Sequence, residues 1–154
     1  MRHKPGRSRI PSPSDWVIFF YALFLLPVTA VLVRRFRFKD LLSWMDSKIP
    51  QGGGIDQQRE PAVQQAHRVT RLFLRALYYS PIKGKCLSQS LVLWHLLKRK
   101  GIQSELRIGV RKKDDRLSLA TDNFDAHAWV EFQGEVLNDR PDVYENFAVI
   151  NHSF

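Results

Sequence analysis

Lys85-Cys86-Leu87-Ser88-Gln89-Ser90-Leu91-Val92-Leu93-Trp94, continued by His95-Leu96-Leu97 and closed by Lys98-Arg99-Lys100-Gly101, is the stretch on which the fold turns. Apolar side chains fill it almost without interruption, so it reads as a helix buried on most of its circumference. The three cations at its end complement the negative pole of the helix dipole, and Gly101 suits the left-handed residue that follows a helix. Directly after it, Glu105 to Arg111 alternates, with Leu106, Ile108 and Val110 on one side and Glu105, Arg107 and Arg111 on the other, the period of a half-buried strand. Ala126 to Phe132 alternates as well: Ala126, Ala128, Val130 and Phe132 face one way, His127, Trp129 and Glu131 the other. Gly134 then turns the chain into a returning strand over Val136 to Asp139. A buried helix followed by antiparallel strands is an α+β arrangement. Between the strands, Lys112 to Asp125 is polar and charged and reads as an exposed, mobile loop.

This framework places three chemically capable side chains near one another. Cys86 opens the helix, where unpaired backbone N–H groups and the positive dipole end favour a thiolate, and Lys83 and Lys85 act in the same direction. A lone cysteine at a helix start also fits as a small core residue. His127 lies on the strand face opposite the alanines, and Asp139 follows twelve residues later at the end of the returning strand. Strand parity puts the two on one face when the hairpin loop holds an odd number of residues, for example Gln133 to Glu135. They are then diagonal neighbours, close enough for the carboxylate to accept an imidazole N–H. The plain alternative is a strand histidine and a solvated carboxylate. Together, Cys86, His127 and Asp139 have the residue types of nucleophile, base and orienting group in thiol acyl transfer. Ser88 and Gln89 either line the cleft or cap the helix start.

Upstream of the buried helix, Pro61 suits a helix start, and Val63, Ala66, Thr70, Phe73, Leu74 and Leu77 recur at three- and four-residue spacing until Ser80-Pro81. Gln51-Gly52-Gly53-Gly54 reads as a flexible break, dividing an N-terminal appendage, residues 1–50, from a core over 55–154. Within the appendage, Trp16 to Val33 is eighteen residues without a charge, between basic stretches at Arg2 to Arg9 and Arg34 to Lys39. As a helix it measures about 27 Å against a hydrocarbon core of about 30 Å. Two readings stay open: a borderline span, or a helix buried on most sides or lying peripherally on a membrane surface. The basic flanks give no orientation, and no cleavage motif of a secretory signal is present.

The 154 residues are 44% hydrophobic and 25% charged, the proportions of one ordinary globular unit. A single cysteine excludes an internal disulfide framework and a thiolate-rich metal site, and it fits a reducing compartment such as the cytoplasm. His67, His95, His127 and His152 form no paired ligand motif, and the glycines at 101 and 109 lack phosphate-loop spacing, so no metal or cofactor is implied. The net charge of +9 implies an acidic partner or a solvated basic surface.

The series Lys85 to Trp94, Arg99-Lys100-Gly101-Ile102, Leu106-Arg107-Ile108-Gly109-Val110, Ala126-His127-Ala128-Trp129-Val130-Glu131 and Val136-Leu137-Asn138-Asp139 resembles the leader-peptidase half of the lasso-peptide biosynthesis B proteins, members of the transglutaminase-like, papain-related superfamily. The likeness is firm over Arg59 to Arg140. It implies a papain-like or transglutaminase-like α+β fold with the cysteine helix packed on an antiparallel sheet, and a peptidase in which Cys86 is the nucleophile, His127 the general base and Asp139 the carboxylate that holds the imidazole. The implied substrate is a precursor peptide of leader plus core, and the implied next step is macrolactam closure by an ATP-dependent lasso cyclase. Residues 1–50 lack the alternating strands of a winged-helix leader-recognition domain, so the resemblance implies a separate recognition protein of that type. Two other functions are compatible with the residues: a transglutaminase-like acyltransferase that passes the acyl group to an amine, and a non-enzymatic basic module for anionic membrane or nucleic acid. The second lacks any nucleic-acid motif or stacking array.

Overall fold

A computed structural model of the chain describes residues 12–37, 40, 43, 47, 61–82, 84–111 and 126–150. Helix α1 (Pro13–Arg35) is followed by α2 (Ala62–Tyr79) and α3 (Cys86–Arg99), then β1 (Glu105–Arg111), β2 (Ala126–Phe132), β3 (Glu135–Val136), a single helical turn α4 (Val143–Asn146) and β4 (Phe147–Val149). The strands form one antiparallel sheet in the order β3-β2-β1-β4. The fold is α+β, with three helices on one side of a small sheet. The expected break at Gly52–Gly54 and the polar stretch 112–125 lie outside the described residues, as does Lys83.

Helix α3 is the centre of the core. Leu91, Val92, Leu93, Trp94, Leu96 and Leu97 are all buried, as the apolar run predicts. The helix ends with Lys98 and Arg99 in its last turn, Lys100 as its C-cap and Gly101 at φ +72°, where a side chain would be strained. On α2 the face toward the core is Ala66, Val69, Thr70, Phe73 and Ala76. Val63 and Leu74, expected on that face, are exposed, because the buried stripe is centred one position away from them.

Helix α1 belongs to the same core. Ile18, Ala22, Leu25 and Leu26 cluster with Val69 and Phe73 of α2 and with Leu91 to Leu97 of α3. The seal at its start is polar. Arg68 of α2 donates from Nε to Asp15 Oδ1 at 2.8 Å and from Nη2 to Asp15 Oδ2 at 2.9 Å and Ser12 Oγ at 3.0 Å, a forked pair that joins the two helices. Burial alone would push the Asp15 carboxyl up. The bonds from Arg68 and from the Ser12 backbone N–H outweigh it and hold the group below its ordinary value.

The sheet departs from the sequence reading in two respects. First, Phe132 pairs with Glu135, so the β2–β3 turn is only Gln133-Gly134, both at positive φ (+52° and +80°). Such a turn matches the right-handed twist of the strands it joins. The loop is therefore even, not odd. Second, β2 is buried on both faces from Ala128 to Phe132, because α4 covers the side opposite the helices. Tyr144 of α4 meets the Trp129 ring edge-on at 5.7 Å and donates its hydroxyl to Glu131.

Candidate active site

The loop into α3 is shaped by one glycine. Gly84 adopts φ +66°, and a Cβ there would stand 2.2 Å from Ser88 Oγ and 3.1 Å from Ala30 Cβ of α1. Ser88 Oγ donates to the Lys85 carbonyl at 2.8 Å, and Gln89 Nε2 to the Gly84 carbonyl at 3.3 Å. Both side chains thus clamp the turn before the helix, which is the capping reading of the two. Lys85, the N-cap, offers no acceptor side chain to the first-turn N–H groups. Cys86 is the first helical residue and is half-buried, and its thiol points at the Ala126 carbonyl, with Sγ to O 4.0 Å. Ala126 begins β2, and His127 is the next residue.

His127 Nε2 bonds Asp139 Oδ2, and Asp139 Oδ1 accepts the Arg140 backbone N–H at 2.7 Å. The side chains are 27% and 24% exposed, so the pair is partly shielded yet open to solvent. With a two-residue turn, strand parity would place Asp139 on the wrong face for His127. The chain avoids this by abandoning the strand. The last regular bond is Leu137 N–H to the Val130 carbonyl, at 2.9 Å. Asn138 then accepts the Val130 N–H on its side-chain Oδ1 at 2.8 Å, standing in for a backbone carbonyl, and residues 137–139 bend. That bend brings Asp139 round to the imidazole.

A buried network fixes the bend. Ser90, fully buried and one turn beyond Cys86, donates to the Ala128 carbonyl at 2.8 Å and accepts from Asn138 Nδ2 at 2.9 Å. The helix that carries the cysteine, the strand that carries the histidine and the segment that carries the aspartate therefore meet at one hydroxyl and one amide. Sequence reasoning overlooks Ser90 as a site-forming residue. The available signal is its spacing of four from Cys86, which puts both on one helix face.

The imidazole is packed as well as bonded. Its ring lies 6.1 Å from Trp129 at 26° and 5.0 Å from Phe147 at 33°. Trp129 is in turn held by Glu131, 4% exposed, whose carboxylate accepts from the indole N–H at 2.5 Å, from Tyr144 and from Arg107 Nε at 3.2 Å. Burial, then the bond to Glu131, pushes the Tyr144 phenol above its ordinary value, so it remains a donor. Of the remaining described histidines, His95 shares a bond with Tyr21 at 3.1 Å and His67 lies 3.3 Å from Glu135.

A helix opening on a half-buried cysteine, laid across an antiparallel sheet that carries a histidine–carboxylate pair, is a transglutaminase-like architecture. Residues 28–152, well over half of the chain, match the transglutaminase-like superfamily, and the chain belongs to it. It is also similar to the microcin J25-processing protein McjB of Escherichia coli, with 37% identity over 68 residues, 44% of this chain and 28% of that protein. The match thus spans little more than a quarter of that relative's length. No solved structure matches the chain.

Proposed function

We propose that this chain is a cytoplasmic cysteine peptidase that removes the leader from a lasso-peptide precursor, with Cys86 as nucleophile, His127 as base and then acid, and Asp139 as the group that orients and stabilises the imidazolium. The observation that carries the reading is a helix-opening thiol 4.0 Å from the Ala126 carbonyl, the residue beside a strand histidine that is bonded to a carboxylate. The similarity to a protein that processes microcin J25 supports the substrate class.

With Nε2 of His127 engaged by Asp139, Nδ1 is the nitrogen left to take the thiol proton. The thiolate attacks the scissile carbonyl carbon, and the Cys86 backbone N–H, at the positive end of α3, donates to the oxyanion that develops. Collapse breaks the C–N bond, the imidazolium returns its proton to the departing amine, and a thioester remains on Cys86. Water, deprotonated by His127, then releases the leader as a carboxylic acid and regenerates the thiol. The freed amine of the core is what an ATP-dependent lasso cyclase would close into a macrolactam, and a separate winged-helix leader-recognition protein would present the precursor.

The test is mass spectrometry of the precursor incubated with this chain and the recognition protein. Native protein should cut one bond, and Cys86→Ala should leave the precursor intact, with activity lowered by about three orders of magnitude or more. Processing by Cys86→Ala at the native rate would sink the assignment.

A further inference from the structure

The outer face of α1 is an exposed apolar surface that the proposed chemistry leaves unused. Along one stripe of the helix, Val17, Phe20, Phe24 and Val31 are exposed, Phe20 by 57% and Phe24 by 69%, and Trp16 at their edge by 50%. The opposite stripe is sealed into the core. The patch is contiguous with the end of α2: Trp16 stacks on Phe20 at 5.7 Å, Phe19 joins Phe20 at 5.3 Å and Tyr79 at 6.3 Å, and Tyr79 meets the exposed Tyr78 at 5.1 Å. Between the helices, a groove of about 600 Å³ is lined by Asp15, Trp16, Phe19, Leu23, Leu72, Arg75 and Tyr79.

Among the described residues the charges around this face are mostly basic, with exposed Asp40 the acid that follows Arg37. Exposed Arg34, Arg35 and Arg37 stand at the C-terminal end of α1, exposed Arg71 and Arg75 lie on α2, and Arg2, Lys4, Arg7 and Arg9 precede the helix in the chain. Asp15, the acid of the first turn, is buried in its pair with Arg68 and does not offset them. Aromatic side chains with amphipathic Trp and Tyr at one end and a predominantly basic rim match the interfacial region of an anionic bilayer. Crossing the bilayer would instead require α1 to leave α2 and α3 and to carry Asp15 with it, against the cost of a charge in hydrocarbon.

We infer that α1 is an in-plane membrane-docking face: the chain rests on anionic phospholipid through Trp16, Val17, Phe20, Phe24 and Val31, with the arginines at the headgroups, while the other face of the same helix stays in the protein core. The inference is independent of the peptidase reading and holds or fails without it.

Co-sedimentation of the full chain with phosphatidylcholine vesicles, with and without phosphatidylglycerol, tests it. Retention on the phosphatidylglycerol vesicles is expected, lost at high salt and on pure phosphatidylcholine. Phe20→Ser with Phe24→Ser should weaken it by about tenfold or more, and Arg34→Glu with Arg35→Glu should remove the preference for anionic lipid. Circular dichroism of the variants checks their folding; should one not fold, the salt and lipid dependence of the native chain still decides the matter. No retention on either vesicle overturns the inference. So does retention that survives alkaline extraction, which would mean a span, or a lipid-free dimer dissociated by the phenylalanine changes without vesicle binding, which would mean that a second copy covers the face.

Discussion

A methyl group added at Gly109 would have nowhere to go. It would stand 2.9 Å from two ring atoms of Trp129 and 3.0 Å from the Phe147 Cβ. Those are the two rings that flank His127, and Gly109 is the residue paired directly opposite that histidine. The gap in β1 is therefore what lets aromatic side chains from β2 and β4 close around the imidazole. Gly109→Ala should destabilise the fold by about 1–3 kcal/mol, the usual penalty of forcing atoms into a packed site, and a urea titration reads it directly. Little of this is legible in the sequence. Alternation gives the faces of His127 and Trp129, but the contribution of Phe147 depends on β4 pairing with β1, and a strand of three residues carries no pattern of its own. Glu131 is similarly hidden: the residues that surround it, Trp129, Arg107 and Tyr144, come from three different elements.

Among the elements, the informative case is the one where a sound rule predicts the wrong geometry. The boundaries of α3 are legible because cations and a glycine end it as helix chemistry requires, and the pairing of β1 with β2 follows from two alternating runs. The hairpin is different. Gln133 enters the left-handed region, which a glycine would be expected to occupy, and so shortens the loop to two residues. Parity then separates His127 from Asp139, and only the substitution of the Asn138 side chain for a backbone carbonyl brings them together. Asn138→Ala should leave the Val130 N–H without that acceptor and Ser90 without the amide donor, and release the bend. Under the peptidase reading its kcat should fall by about tenfold, corresponding to roughly 1.4 kcal/mol of lost transition-state stabilisation, while KM holds. Steady-state cleavage assays alongside circular dichroism distinguish this from simple unfolding.

At the scale of the whole molecule, the apolar N-terminal stretch reads from sequence as either a span or a packed helix, because composition alone is the same for both. In the structure one side of it packs into the core, and its start is closed by a pair of charges far apart in the chain, Asp15 and Arg68, whose meeting no local pattern announces. That pair also gives the fold a titration. The folded Asp15 carboxyl is held below its ordinary value of 3.8, so its contribution is fully present above that pH and is lost as pH falls through the lower folded value. Thermal unfolding followed from neutral pH into acid should show stability declining below pH 3.8, and Asp15→Asn should flatten that part of the profile while lowering stability at neutral pH. Loss of the pair would loosen α1 from α2 and, with it, the core that α3 needs to hold Cys86 in place.

Cys86 is the one thiol in 154 residues, and it stands half open at the mouth of its helix. The chain is consequently a single-address molecule for thiol-directed reagents. A maleimide, a spin label or a fluorophore can attach through sulfur at that one position and report from the start of α3, without any other cysteine having to be engineered away.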